Sequence, residues 1–384
     1  VPGVAAASND VAKQVVSTPW WPAGTEKQAE SVGILSYGLV FMTGMMEVNA
    51  TLELTTRQEL YDVRDIAQAG GAGMEDLVDC LVNAPKGGAG AVRKSFEAAM
   101  PLATRPALTV VEMPGEYVFF PTSLSCVAAQ PAPGGSPLRR IRRAGAYGVA
   151  ARGLLHVQGT GGAPGGGARR EAAEALAAIG GLIHDAGGDG LSSLVDCIAF
   201  LRRAGDASAV RAALAASRAQ PAFTAVQVGL EDPRQSVLLR CVAAVPEKPG
   251  TMPQVHRIPT EVGLAVATDR FVYTSGQLGR ATNGADAFRG LERLLKAAGT
   301  TLDDVVNCHF FVKETEKVFD LFAEFSRVFN QNHPPPPSRT EFTSVSECPG
   351  CAVVAKCVAA RRPSRSIAPV LRGIGDDKLG VVLV

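Results

Sequence analysis

Two of the eight cysteines stand at a spacing that could hold a metal ion or form a redox-active disulfide. Cys348 and Cys351 belong to a Cys-Pro-Gly-Cys segment. A structural zinc site needs a second pair of ligands, which a lone C-x2-C does not supply. Pro-Gly is typical of tight turns. The segment therefore predicts a hairpin turn, with a metal or redox role as the alternative.

The other six cysteines form three pairs that lie within apolar runs. The pairs are Cys80/Cys126, Cys197/Cys241 and Cys308/Cys357. Because free cysteine is often buried as a small apolar residue, we predict thiols in the core. A disulfide within each pair is the alternative. It is disfavoured because the chain shows no secretory signal, and disulfides persist mainly in oxidising compartments.

The densest positive charge is a cluster formed by Arg139, Arg140, Arg142 and Arg143. Such a cluster could contact RNA or an acidic protein surface. The alternative is the solvated edge of a linker. The formal net charge of the whole chain is only +1, so it gives no general reason to expect nucleic acid or an anionic membrane as a partner.

The cysteine pairs belong to a repeat that runs through the whole chain. Val-Asp-Cys at Cys80 recurs at Cys197 and, as Val-Asn-Cys, at Cys308. Cys-Val-Ala-Ala begins at Cys126, Cys241 and Cys357. Two markers with nearly one period indicate a triplication of roughly 110-residue units, longer than a solenoid repeat. Each unit is therefore predicted to be a small domain with its own core.

Composition agrees with several globular domains. The 384 residues suit two or three domains, and 46% hydrophobic with 20% charged residues is ordinary for core-forming proteins. The longest apolar stretch, 32–46, contains three glycines and is too short to span a bilayer. We read it as two strands and expect no membrane partner.

The third unit shows the predicted order of elements most clearly. Apolar residues at helical spacing alternate with β-branched and aromatic runs. The order is strand 271–276, helix 285–298, strand 305–313, helix 318–330 and strands 339–345 and 352–360. Helices on one face of a mixed sheet make an α+β unit. The first two units follow the same order.

Proline- and glycine-rich segments separate the units. We predict an N-terminal arm 1–30, units at 31–130, 138–246 and 254–362, and a C-terminal tail 363–384.

Several segments of the third unit together resemble the RidA/YjgF family of imine and enamine deaminases, also described as endoribonuclease L-PSP proteins. They are Tyr273–Gln277, Gly290–Gly299, Leu302–Asn307, Phe311–Lys313 and Pro337–Arg339. The resemblance implies a chorismate-mutase-like subunit that assembles as a homotrimer, with ligand sites between neighbouring subunits. Three tandem copies would form an intramolecular pseudo-trimer, since fusion replaces association. No homotrimer is then needed, and neither a cofactor nor a metal is expected.

The resemblance also implies a substrate site. An arginine at the start of the fifth strand would clamp a carboxylate with its planar guanidinium. That position maps to Arg105 in the first unit and Arg339 in the third, while the second unit has Phe223. Gly276 and the N-terminal aromatic Tyr147 complete the candidate substrate-binding residues.

The catalytic acid of the family has no obvious counterpart. The resemblance places it two residues before the repeated cysteine, where this chain has Leu124, Leu239 and Ala355. None of these side chains can position or deprotonate water. Glu341 lies on the same strand face as Arg339 and is a weak candidate for the missing acid. Alternatively, Glu341 pairs with Arg339 and neutralises it.

Two segments outside the units could contact other proteins. Trp20 and Trp21 are adjacent in the arm, and paired tryptophans often anchor on another surface, here the chain's own units or a partner. The tail ends in an apolar run that could extend a sheet edge. We expect an intracellular location, in the cytoplasm or an organelle matrix.

Three functional hypotheses remain. The first is a structural or assembly subunit of a larger complex, built on a degenerate pseudo-trimer. The second is a small-carboxylate binder without efficient chemistry. The third is an imine or enamine deaminase of the 2-aminoacrylate type, acting at clefts between units. Fold alone does not decide among them.

Overall fold

The computed structural model describes residues 12–20, 31–47, 49–113, 122–131, 138–248, 250–313, 318–329, 335–348 and 350–362. Three units with the same order of elements follow one another.

The elements of the first unit are β1 (Gln14–Val16), β2 (Gly33–Ser36), β3 (Leu39–Met42), α1 (Leu52–Ala69), β4 (Leu77–Ala84), α2 (Ala89–Ala99), β5 (Ala107–Glu112) and β6 (Ser123–Ala129). Those of the second are β7 (Arg139–Arg143), β8 (Ala146–Ala151), β9 (Leu154–Thr160), α3 (Ala168–Asp185), β10 (Leu194–Leu201), α4 (Ala207–Ala216), β11 (Ala222–Gln227) and β12 (Val237–Ala244). Those of the third are β13 (His256–Thr260), β14 (Gly263–Ala267), β15 (Phe271–Thr274), β16 (Gln277–Gly279), α5 (Ala285–Ala297), β17 (Val305–Val312), α6 (Val318–Phe329), β18 (Ser338–Thr343), β19 (Val345–Ser346) and β20 (Val353–Ala360).

Local sequence explains where the first helix of a unit begins and ends. Thr51 caps α1, because its side chain accepts a hydrogen bond from the Leu54 backbone N–H at 3.2 Å. In the third unit, α5 turns Phe288 and Leu291 toward the sheet and is followed by Gly299 at φ +75°. Glycine adopts this left-handed conformation without strain, so the predicted stop of this helix is confirmed.

The three sheets share one topology. Their orders are β1-β2-β3-β6-β4-β5, β7-β8-β9-β12-β10-β11-β19 and β13-β14-β15-β20-β17-β18, with β16 also pairing with β20. In each unit a central strand pairs in parallel with one neighbour and antiparallel with the last strand. Helices cover one face, so the predicted α+β class is confirmed.

One edge strand crosses a predicted boundary, and one segment considered as a linker edge is a strand. Strand β1 lies within the predicted arm yet pairs with β2, so part of the arm belongs to the first sheet. Strand β7 contains the four clustered arginines, which therefore form a strand rather than the edge of a linker. The boundaries of the five predicted segments otherwise stay a prediction.

Each repeated cysteine pair joins the central and last strands of its unit as a disulfide. The pairs are Cys80–Cys126, Cys197–Cys241 and Cys308–Cys357, with Cα–Cα distances of 4.2, 4.1 and 4.1 Å. The strand register places the two cysteines of each pair opposite one another. The structure thus corrects the expectation of free thiols.

Cys348 and Cys351 form a fourth disulfide across a turn, where the Cys351 N–H donates to the Cys348 carbonyl at 3.0 Å. The predicted turn is confirmed. No group of three or more metal-binding side chains occurs in the described ranges.

Five buried clusters make up the core of the described part of the chain. Three of them fill the space between one sheet and its own helices. The other two contain residues of all three units, around Phe41, Val195 and Phe271 in one and around Leu81, Phe200 and Phe342 in the other. The sheets therefore face a common axis, and the predicted intramolecular pseudo-trimer is confirmed. Within the described residues, no helix is both long and apolar enough to span a membrane.

Candidate ligand clefts between the units

The three seams between units are built alike. At each seam a glycine at or just after the end of the third strand of one unit lies against a threonine on the parallel partner of the central strand in the preceding unit. A Cβ atom on the glycine would lie 2.7 to 2.9 Å from the threonine Cγ2 for Gly44 with Thr340, Gly159 with Thr109 and Gly276 with Thr224. A side chain larger than hydrogen would therefore clash, and the seams are closely packed at these points.

The strand register decides which residue occupies the position of the family's arginine. Arg339 pairs with Cys308 across the parallel strands, and Phe223 pairs with Cys197. In the first unit, Leu108 pairs with Cys80. Arg105 precedes the strand and lies three positions before the equivalent point, so the register places Leu108 there instead. Only the third unit has an arginine at this position. A ligand role for Arg105 stays a prediction.

Arg105 is engaged in contacts within and between units. Its guanidinium lies 2.8 Å from Glu97 and donates to the Met100 carbonyl at 3.3 Å. Its backbone carbonyl accepts a hydrogen bond from the Tyr147 hydroxyl at 2.5 Å. The structure therefore brings Arg105 and Tyr147 together at the seam between the first and second units, through the Arg105 carbonyl.

Arg339 is buried, with 8% of its surface exposed. Its guanidinium lies over the rings of Phe322 and Phe325, at 4.2 and 4.9 Å from their centroids. Glu341 Oε1 lies 2.8 Å from Arg339 Nε. Of the two alternatives for Glu341, the structure favours the one in which it pairs with the arginine. A carboxylate of the protein itself therefore lies against the guanidinium that would clamp a ligand.

Arg339 and Gly276 do not share a cleft. The Arg339 carbonyl accepts hydrogen bonds from Gly44 N at 2.9 Å and Thr43 Oγ1 at 2.7 Å, at the seam between the third and first units. The Gly276 N–H donates to the Phe223 carbonyl at 3.2 Å, at the seam between the second and third units. The four predicted substrate-binding residues are thus distributed over three seams.

The positions that the resemblance assigned to the catalytic acid lie on the same sheet face as the position of the family's arginine, but they hold apolar side chains. Leu124, Leu239 and Ala355 are fully buried among the residues that pack against each unit's own helices. Since side chains alternate along a strand, the adjacent residues face the other units. Strands β6, β12 and β20 contain no Asp or Glu at either set of positions. None of these three strands offers a carboxylate to a cleft.

Sequence reasoning missed a polar layer on the common axis. It lies between the two shared apolar clusters and surrounds a cavity of about 40 Å³. Two ion pairs cross the seams there, Arg240 with Asp79 and Lys356 with Asp196. The signal was present in the repeats, because these polar residues interrupt apolar runs directly before the repeated cysteines.

The first ion pair includes a histidine. His156 Nδ1 lies 3.4 Å from Asp79 Oδ2, and His156 Nε2 is buried without a hydrogen-bond partner among the described residues. Burial raises the pKa of Asp79, but Arg240 and His156 together hold it below its ordinary value. Asp79 therefore stays ionised between two basic side chains.

In the second ion pair, Lys356 with Asp196, burial opposes the charge on both partners. Burial raises the pKa of the Asp196 carboxyl and lowers the pKa of the Lys356 amine, and their attraction only partly offsets this. His309 lines the same cavity. Burial, together with Arg240 and Lys356, lowers the pKa of His309 to about 3, so its imidazole is neutral at physiological pH.

A buried carboxyl in the first unit was also missed. Glu59 of α1 is fully buried, accepts a hydrogen bond from Thr122 Oγ1 at 2.7 Å, and has no described hydrogen-bond partner for Oε2. Burial raises the pKa of Glu59 to about 8. The residue is therefore protonated at neutral pH. The sequence of this amphipathic helix does not distinguish Glu59 from an exposed glutamate.

The arginine cluster contributes to a seam. Arg140 donates to the carbonyls of Glu75 at 2.5 Å, Thr104 at 3.0 Å and Arg105 at 3.3 Å in the first unit. Arg142 lies 5.3 Å from the centroid of the Tyr147 ring.

The other two arginines of the cluster bind their own unit. Arg139 donates to the Ala186 carbonyl at 2.9 Å, and Arg143 pairs with Asp185 at 2.9 Å. An RNA or acidic partner at this cluster stays a prediction.

Equivalent cations close the other seams. Arg257 of β13 donates to the carbonyls of Ser192 at 2.6 Å and Gln220 at 3.0 Å in the second unit. Lys13, just before β1, donates to the Asp303 carbonyl of the third unit at 3.0 Å. Burial lowers the pKa of Lys13 to about 8. Part of the predicted arm thus ties the first unit to the third.

The remaining predicted contacts fall largely outside the described residues. Trp20 is described and is 42% exposed. Trp21 and the tail 363–384 lie outside the described residues. A cavity of about 210 Å³ lies away from the clefts, between turns of the second and third units. Its Arg270 is paired with Glu247 at 2.6 Å.

Comparisons with known proteins agree with this architecture. Residues 262–360 match the family model of Endoribonuclease L-PSP. The crystal structure of a chorismatase matches 74% of this chain and 93% of its own, with a TM-score of 0.51 and 13% identity, which is a likeness of fold. No curated protein matches the chain in sequence.

Smaller solved structures match shorter parts of the chain. A YjgF/YER057c/UK114 family member from Mycobacterium tuberculosis is 20% identical over 28% of this chain and 100% of its own, with a TM-score of 0.25. The YjgF gene product of E. coli is 20% identical over 31% of this chain and 99% of its own, with a TM-score of 0.26. The third unit is a domain of the RidA/YjgF, or endoribonuclease L-PSP, family, and the whole chain has a chorismate-mutase-like α+β fold of three tandem units.

Proposed function

We propose that this protein is a degenerate RidA-like pseudo-trimer that serves as a structural or assembly subunit of a larger complex. The observation that carries the proposal is the pairing of Arg339 with Glu341. The one arginine at the family's clamp position is buried against two phenylalanine rings and paired with a carboxylate of its own strand. A substrate carboxylate would have to compete with Glu341 for it.

The other two clefts support the same proposal. At the clamp position they carry Leu108 and Phe223, which cannot bind a carboxylate. Meanwhile the seams are closed by direct backbone contacts. A hydrolytic site would also need an acid or base beside the substrate, and strands β6, β12 and β20 supply none.

The deaminase hypothesis is tested by turnover. Ammonia release from a 2-aminoacrylate-type imine, generated in the assay, is measured for the wild type and Arg339→Ala. We expect no release above the uncatalysed background for either protein. Turnover by the wild type that is lost in Arg339→Ala would refute the assembly role in favour of a deaminase.

Substitution of Glu341 tests whether Arg339 can bind a small carboxylate. Glu341→Gln removes the negative charge that occupies Arg339, whereas Glu231→Gln removes a half-exposed carboxylate that pairs with Arg93 elsewhere. Binding of 2-oxobutanoate is then measured by calorimetry. We expect no binding by the wild type or Glu231→Gln and measurable binding by Glu341→Gln. Binding by the wild type would instead favour the small-carboxylate binder.

The assembly role makes a prediction about size. In an extract of its source, the 39.9 kDa chain should elute as part of a larger complex. We propose that Trp20 and Trp21 contribute to the contact, since tryptophans are frequent anchors of interfaces. Replacing both with alanine should shift the chain toward its own mass. Elution of the wild type as a free 39.9 kDa chain would contradict the role.

We propose an intracellular location, in the cytoplasm or an organelle matrix, and the cysteines provide the test. Intracellular thiols are generally kept reduced, whereas disulfides persist in oxidising compartments. In such a compartment the cysteine pairs that the structure joins as disulfides would be held open as thiols. If the location is right, protein trapped at low pH from its source and then denatured should therefore show free thiols at the eight cysteine positions. Four intact disulfides, as in the structure, would refute this location.

A further inference from the structure

We infer that the polar layer on the common axis is a pairing code. Its charges match across the seams in only one order of the three units around the axis. Each unit contributes two positions to the layer, one on its central strand and one on its last strand. The central-strand positions are Asp79, Asp196 and Asn307. The last-strand positions are Ser125, Arg240 and Lys356.

The contacts run in one direction around the axis. Asp79 of the first unit pairs with Arg240 of the second, and Asp196 of the second pairs with Lys356 of the third. The central-strand position of each unit therefore meets the last-strand position of the next. Both charged matches occur at the two seams whose units are consecutive in the chain.

The remaining seam has neutral residues at both positions. Asn307 Nδ2 donates to Ser338 Oγ at 2.9 Å, and Ser125 Oγ donates to the Met42 carbonyl at 3.2 Å. Each partner belongs to the same unit as its donor. The third seam thus places no unpaired charge on the axis, and the layer contains two carboxylates and two cations in total.

The reverse order of units would break this match. Arg240 would then face Asn307, and Asp196 would face Ser125. One guanidinium and one carboxylate would be buried without an opposite charge. Breaking a buried ion pair is strongly destabilising, because it leaves an uncompensated charge away from water.

Assembly of identical units from different chains would also be penalised. Three copies of the first unit would bring three aspartates, Asp79, against Ser125. Three copies of the third unit would bring three lysines, Lys356, against Asn307. The second unit alone could pair with itself, through Asp196 and Arg240. The code therefore opposes exchange of the first and third units between chains.

The surroundings make a mismatch costly. The charged members of the layer are between 2% and 8% exposed. Apolar clusters lie on both sides of the layer along the axis. The cavity of about 40 Å³ has room for a few water molecules but not for a hydration shell. An unmatched charge could therefore be neither paired nor solvated.

An exchange that conserves composition tests the code. Asp196→Asn combined with Asn307→Asp keeps the same residues and the same net charge. In the native order it leaves Lys356 opposite an amide, and it places a carboxylate opposite Ser125. We expect the equilibrium constant for unfolding, measured by denaturant titration of the full chain, to rise ~100-fold or more.

A control and a rescue complete the test. Arg240→Lys combined with Lys356→Arg alters the same layer but keeps every charge match, so it should stay within ~10-fold of the wild type. Adding Ser125→Lys and Lys356→Ser to the exchange moves the neutral match to another seam and restores both charged ones. This quadruple variant should regain most of the lost stability.

The outcomes separate the code from simple disturbance of a packed layer. Recovery in the quadruple variant supports the code, since four substitutions would then be tolerated better than two. A quadruple variant no more stable than the double exchange, with a stable control, overturns the inference. An exchange as stable as the control overturns it equally.

Discussion

The buried carboxyl of Glu59 makes stability depend on pH in a direction opposite to that of most carboxylates. Its pKa in the folded chain is about 8, against an ordinary value of 4.5, because burial opposes ionisation. Below about pH 4.5 the group is protonated in both the folded and unfolded chain. Between about 4.5 and 8 only the unfolded chain loses the proton. Stability should therefore fall as the pH rises through this window.

The magnitude follows from the same two values. Each pKa unit corresponds to about 1.4 kcal/mol, so the change from 4.5 to about 8 amounts to at most about 5 kcal/mol. We therefore expect stability to fall by about 3–5 kcal/mol across this window. Glu59→Gln cannot ionise, so it should remove this loss while it keeps an acceptor for Thr122.

The assay is denaturant unfolding at pH 5, 6, 7 and 8, followed by circular dichroism. The free energy of unfolding of Glu59→Gln minus that of the wild type should increase by about 1.4 kcal/mol per pH unit. Other titrating groups cancel in this difference. Glu53→Gln, on the exposed side of the same helix, is the control and should run parallel to the wild type. Parallel curves for Glu59→Gln and the wild type would refute the reasoning, because Glu59 would then ionise normally when folded.

Three further expectations follow from the axis and the seams. His309, with its pKa lowered to about 3, stays neutral when folded, so stability should fall as pH drops from 6.5 toward 3; His309→Gln should flatten this acid limb in the same unfolding assay. Gly276→Ala should cost about 1–3 kcal/mol, because its Cβ would lie 2.8 Å from Thr224 Cγ2; Gly205→Ala, which meets open space, should cost far less. Arg140→Ala should lower the free energy of unfolding by about 1–3 kcal/mol through loss of three hydrogen bonds to the first unit; an unchanged midpoint would show that the seam does not depend on them.

Much of the fold could be predicted from the sequence because it is repeated. The three cysteine pairs, which recur at one period, mark the central and last strands of each unit, and the structure places each pair side by side. Amphipathic spacing gave α5 and α6 to within a residue or two. Such features depend on residues close in sequence, where periodicity and turn chemistry act directly.

The candidate site was harder to predict from the sequence. Arg105 and Leu108 lie three residues apart, and the choice between them depends on the register of β5 against β4. A shift of register by one residue turns every side chain of the strand to the other face of the sheet. The prolines that precede the strand do not indicate which register it adopts. Likewise, the face of the sheet to which Leu124 belongs follows from packing against helices that are distant in the chain.

By itself the sequence determined the triplication, the α+β class and the apolar residues at Leu124, Leu239 and Ala355, because each is recorded in local patterns and residue types. Only the tertiary structure decided that Glu341 pairs with Arg339 and that Asp79 meets Arg240 across 161 positions. Pairings of this kind are set by how three sheets close around one axis. The paired residues are brought together by the burial of apolar faces, and the sequence around one residue does not identify its partner.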